Sequence, residues 1–114
     1  MAKYPDVARF VFQAGRAATA RKDYAAARRL YDQAAASGYA MAMNNIGTSY
    51  EDGAGQPVNN FEAAQWYQKA VDAGEPIAMV NLAWLYENGL GVKKDYAQSR
   101  RCSRPRRRPA SPRP

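Results

Sequence analysis

AMNNIGTSYEDGAGQPVNNFEAAQWYQKAVDAG, residues Ala42 to Gly74, is the stretch whose reading decides the fold. Two runs of helical spacing flank a turn that carries Gly53 and Gly55. In the first run Ala42, Ile46, Gly47 and Tyr50 recur at i, i+4, i+5 and i+8. In the second Ala63, Tyr67 and Ala70 recur at i, i+4 and i+7. Each spacing lays one stripe along a helix. Small residues on one stripe face large ones on the other, so two helices can approach closely with alanine or glycine opposite tyrosine or tryptophan.

The pattern then starts again. AMNNIGTSYEDGAG (Ala42 to Gly55) lies over AMVNLAWLYENGLG (Ala78 to Gly91) at a shift of 36 residues, with seven of fourteen positions identical. Unrelated stretches of average composition would share about one. The same shift carries Asn59 to Asp95. It also lays DYAAARRLYDQAAASG (Asp23 to Gly38) over NNFEAAQWYQKAVDAG (Asn59 to Gly74), matching Ala27, Tyr31, Ala34 and Gly38. The first half of that earlier repeat aligns at a shift of 32, which puts Gly15 on Gly47 and removes about four turn residues.

Cap residues set the element boundaries. Gly38, Gly53, Gly74 and Gly89 suit left-handed helix ends. Asp23 and Asp95 suit helix starts. Six helices are expected, at 6–20, 24–37, 40–52, 60–73, 76–88 and a stub from 95 to about 102. The fold class is therefore all-α, with one helical-repeat domain over 6–101. Its repeats cover 8–41, 42–77 and 78–101, the last of them truncated.

Composition agrees. The chain has 114 residues, 46% apolar, with mean hydropathy −0.64. No apolar run nears the roughly 20 residues of a membrane span. MAKYPDVARF has no apolar core of a secretory signal, so a cytoplasmic location is expected. Residues 1–98 carry ten basic and ten acidic side chains, so the body is neutral. The net charge of +7 comes from seven arginines between Arg100 and Arg113.

Repeat register fails after Arg101. At the 36-residue shift Cys102 replaces Trp66 and Ser103 replaces Tyr67, and four prolines follow from Pro105. Such a stretch cannot continue a helix and has a disordered composition. Three readings of 102–114 stand: a non-native, out-of-frame end, a solvated extension, or a basic arm for nucleic acid or an acidic surface. No aromatic is interleaved to stack on bases, which counts against nucleic acid.

The run A-x3-[IL]-[GA]-x2-Y-E-x-G-x-G, an alanine pair, W-Y-x-K-A and a closing glycine resembles the Sel-one-like repeat family, a branch of the tetratricopeptide superfamily. The resemblance rests on Ile46-Gly47, Tyr50, Gly53, Gly55, Ala63-Ala64, Trp66-Tyr67, Lys69-Ala70 and Gly74, and recurs over Ala78 to Asp95. Gly15, Ala18, Ala27, Tyr31 and Ala34 are spaced as in a plain tetratricopeptide unit. The resemblance implies a right-handed α-solenoid of about two and a half antiparallel helix pairs. It further implies a bacterial adaptor or scaffold that holds a protein or peptide on the concave surface lined by the first helix of each pair. A third repeat lacking most of its second helix leaves Leu82, Leu85 and Tyr86 short of cover, and self-association through that end is expected.

Chemistry finds little support. With no histidine there is no imidazole base, triad or histidine metal site, and no cofactor or metal is expected. Cys102 has neither base nor pocket around it in sequence. Glu51 and Glu87 repeat on neighbouring first helices and read as surface carboxylates. Gly53-Ala54-Gly55-Gln56 lacks the lysine of a phosphate-binding loop. Tyr31, Tyr50, Tyr67, Tyr86 and Trp66 have core spacing.

A binding face remains. If Gly47 and Tyr50 point inward, the groove receives Phe12, Gln13 and Arg16 from the first repeat. It receives Asn44, Asn45, Thr48 and Asp52 from the second, and Val80, Asn81 and Trp84 from the third. Amides offer donor and acceptor to a peptide backbone, and Trp84 and Phe12 can anchor apolar side chains. Asn45 and Asn81 have an alternative role, bridging adjacent helices. The non-enzymatic interaction module is the leading reading, and a nucleic-acid or acidic-surface binder acting through 102–114 is its rival.

Overall fold

The computed structural model describes residues 5–93 and 95–103. Among them six helices follow in order: α1 (Pro5–Ala20), α2 (Tyr24–Ala36), α3 (Ala40–Asp52), α4 (Asn60–Asp72), α5 (Pro76–Asn88) and α6 (Tyr96–Ser103). The readings made for 104–114, and for the Cys102 thiol, lie outside this description.

Four of the described helix starts carry a side-chain cap. Asp23, Asn59 and Asp95, one per repeat, accept from the backbone N–H of Ala26, Glu62 and Gln98 at 3.1 to 3.3 Å. These bonds satisfy amide groups that have no partner within the helix. Glu75 does the same for Ile77 at 3.0 Å, with Pro76 in the first turn, where its missing N–H costs nothing. The chain also returns identically after each long turn: Asn59 N–H donates to the Tyr50 carbonyl and Asp95 N–H to the Tyr86 carbonyl, both at 2.9 Å.

Packing joins consecutive helices, α1 to α2 through α5 to α6. The core is alanine-rich: Ala18, Ala27, Ala42, Ala63, Ala70 and Ala78 are buried among Tyr31, Ile46, Tyr67, Leu82 and Leu85. Glycine makes the closest of these approaches. A Cβ on Gly47 would meet the Tyr67 ring at 2.7 Å, and one on Gly15 would meet the Tyr31 ring at 2.8 Å. Real side chains never come so near, so these positions set how tightly α3 lies on α4 and α1 on α2.

A second glycine pair spaces one repeat from the next. Gly91, at φ +73°, brings the α5–α6 turn against the start of α4, where a Cβ would lie 2.2 Å from the Asn60 carbonyl carbon. Gly55 stands equivalently against Tyr24 at the start of α2, with a Cβ 2.7 Å from the Tyr24 Cβ. The turn glycines are thus contacts between repeats as well as turn formers.

Candidate peptide-binding face

The first helices of the three pairs, α1, α3 and α5, lie side by side and share a cavity of about 290 Å³ lined by Phe12, Arg16, Met41, Asn45 and Ile77. A smaller one of about 150 Å³ also meets Asn45 and is lined further by Tyr31, Thr48 and Asp52. Asn45 therefore lines both hollows.

The third repeat supplies the apolar side. Helix α5 buries Ala78, Leu82 and Leu85 against the core, so the shortage of cover expected for Leu82 and Leu85 is not found, because α4 and α6 both pack on α5. Its other face is apolar too: Ile77 is 47% exposed, Val80 37% and Trp84 51%. Their i, i+3, i+7 spacing makes one stripe. A helix apolar on two sides, with one side in water, has a surface that folding has left uncovered.

Eight of the ten residues expected at the groove, Asp52 among them, are exposed at least in part, and two need correction. Gln13, Arg16, Val80 and Trp84 are exposed, and Asn45, Thr48 and Asn81 half-buried. Phe12 is 5% exposed: its ring packs on Tyr31 and Tyr39, with centroids 5.7 and 5.1 Å away. It walls the larger cavity as part of the core and is not a free anchor. Asn44 is equally buried, and Asn81 Nδ2 of α5 donates to its Oδ1 at 2.9 Å.

That last bond begins a row which crosses all three repeats. Asn81 on α5 donates to Asn44, Asn44 donates to Asn45 Oδ1 at 3.4 Å, and Asn45 donates to the Tyr31 hydroxyl on α2 at 3.4 Å. Tyr31 in turn bonds the Thr19 hydroxyl of α1 at 3.1 Å, and Thr19 donates to the Gly15 carbonyl at 3.1 Å. Each member donates to the next. The bridging role of the asparagines is thus the one seen, and the groove has a hydrogen-bonded floor. Aligned bonds of this kind polarise one another.

Glu51 is also corrected. It is half-buried and accepts from the Tyr67 hydroxyl at 2.6 Å, and the Tyr67 hydroxyl lies 3.2 Å from that of Thr48. Burial pushes the Tyr67 phenol well above its ordinary range, the Glu51 bond adds to this, and Thr48 opposes it. This pair ties α3 to α4 beside the groove.

Met41 and Ile77 were missed as groove residues. They are equivalent under the 36-residue shift, both apolar at a helix start. The signal was the stripe Ile77, Val80 and Trp84, legible once α5 is seen to need only one of its two apolar faces for the core.

Consecutive helix pairs, each packed on the next, define an α-solenoid repeat protein. Residues 10–39, 40–75 and 76–104 match the Sel1 repeat, and the chain belongs to that family. Proteins of this family generally serve as scaffolds that mediate protein–protein interaction. A Sel1 repeat protein from Oxalobacter formigenes superposes with TM-score 0.77 at 31% identity, over 82% of this chain and 38% of its own. A protective antigen of uropathogenic Escherichia coli strains, displaying an SLR fold, superposes with TM-score 0.66 at 38% identity, over 69% of this chain and 17% of its own. The chain thus spans well under half the length of either structure. No curated protein matches it significantly. Among the described residues, no helix is long and apolar enough to cross a membrane.

Proposed function

We propose that this chain is a non-enzymatic interaction module that binds a protein or peptide segment in the groove of α1, α3 and α5. One observation carries the reading: Ile77, Val80 and Trp84 stay exposed on the face of α5 opposite its buried Ala78, Leu82 and Leu85. Burying that stripe would return roughly 25 cal/mol for each Å² of apolar surface removed from water. The asparagine row beneath holds the three first helices in register, so the surface is formed before a partner arrives.

A photo-crosslinking side chain at Val80 tests this, with Phe61 on α4 as control because it too is exposed but belongs to the second helix of its pair. Capture from Val80, absent from Phe61 and lost in Trp84→Ala with helix content unchanged, is the expected result. Capture that ignores Trp84→Ala, or that occurs equally from Phe61, refutes the groove.

A further inference from the structure

The groove is asymmetric in charge as well as in polarity. Arg16 lines the larger cavity beside Asn45 and Ile77. Arg9 lies on the same face of α1, two turns nearer the helix start. Both are exposed, and among the described residues neither holds an ion pair or a hydrogen bond. Asp52, at the far end of α3, puts a carboxylate in the smaller cavity. Basic charge thus gathers on the α1 side, opposite the apolar stripe of α5.

We propose that the occupant of this groove is an acidic amphipathic helix. Its apolar side chains, at i, i+3 or i+4 and i+7, lie along Ile77, Val80 and Trp84, and one of them fills the cavity between α1, α3 and α5. Its carboxylates lie on the flank that meets Arg16 and Arg9. The proposal rests on the groove being a binding face, as proposed above, and adds the chemistry of what binds.

Three features argue for it. Ile77 to Trp84 spans about 10 Å of helix, the length of two turns, so a partner helix presents anchors at the same pitch. Unpartnered guanidinium groups beside an apolar surface bind carboxylates through paired, charge-assisted hydrogen bonds. A polyanion without apolar side chains would leave the α5 stripe in water, so phosphate-rich partners do not fit the whole face.

The test is selection of random dodecapeptides on the full chain, alongside Trp84→Ser and the double variant Arg9→Glu/Arg16→Glu, each checked for helix content. The arginines after residue 100 are common to all three proteins, so differences between them report the groove. Peptides from the unaltered chain should carry Asp or Glu beside apolar residues three or four apart, and become helical when bound. They should bind each variant at least about tenfold more weakly, a loss of roughly 1.4 kcal/mol or more. The arginine effect should shrink at high salt. Peptides that need Trp84 but show no acidic preference, or that bind in extended form, overturn the acidic helix and leave the groove standing. Peptides indifferent to both variants, or no enrichment at all, overturn the groove as well.

Discussion

Tyr67 shows how one side chain can be both filler and lock. Its ring occupies the space that Gly47 leaves by having no Cβ, and its hydroxyl donates to Glu51. Spacing in the sequence reveals the ring's place in the core, since Ala63, Tyr67 and Ala70 share a stripe. The hydroxyl's partner is less legible, because Glu51 looks like any exposed helical glutamate until α4 is docked against it. A raised phenol pKa has a direct consequence for stability. Above the ordinary tyrosine pKa of about 10 the unfolded chain releases this proton while the folded chain keeps it. Folded stability should then fall by about 1.4 kcal/mol per pH unit from this group. Below that pH its contribution is fully present. Urea unfolding at neutral and at alkaline pH checks this. In Tyr67→Phe the alkaline fall should be shallower than in the unaltered chain, and an equal slope in both would remove Tyr67 as its source.

At the scale of the helix, starts and stops were easier to read than faces. Asp23 and Asp95 mark starts because a short polar side chain can reach back to an amide two or three residues ahead. The glycines mark stops because left-handed backbone is cheap for them. Which polar residue lies beneath a neighbouring helix is another matter. Asn44 is held by Asn81 of α5 and Phe12 is covered by Tyr31 and Tyr39, and no periodicity within a single helix encodes those partners. The repeat itself told more than any one helix could, since the 36-residue shift aligns Met41 with Ile77 and Gly55 with Gly91. The equivalent caps support a prediction. Asn59→Ala removes the acceptor for Glu62 N–H at the start of the central α4 and should cost about 1 kcal/mol of stability. A denaturant midpoint unchanged in that variant would show that water caps α4 equally well.

At the scale of the molecule, the extensive helix–helix packing among the described residues joins each helix to its neighbour in sequence. Stability in such an array is a sum of local terms, and the middle units have neighbours on both sides. Amide hydrogen exchange should therefore be slowest in α3 and α4 and faster toward α1 and α6. Uniform protection across all six helices would instead show one indivisible unit. The same neighbour-to-neighbour plan governs how the fold is reached. No helix waits for a distant segment to arrive, so the entropy of closing long loops is small. Folding in microseconds to milliseconds is expected of chains with contacts this local. During synthesis the first pair can dock as soon as α2 has formed, and each later helix then finds its packing partner already in place.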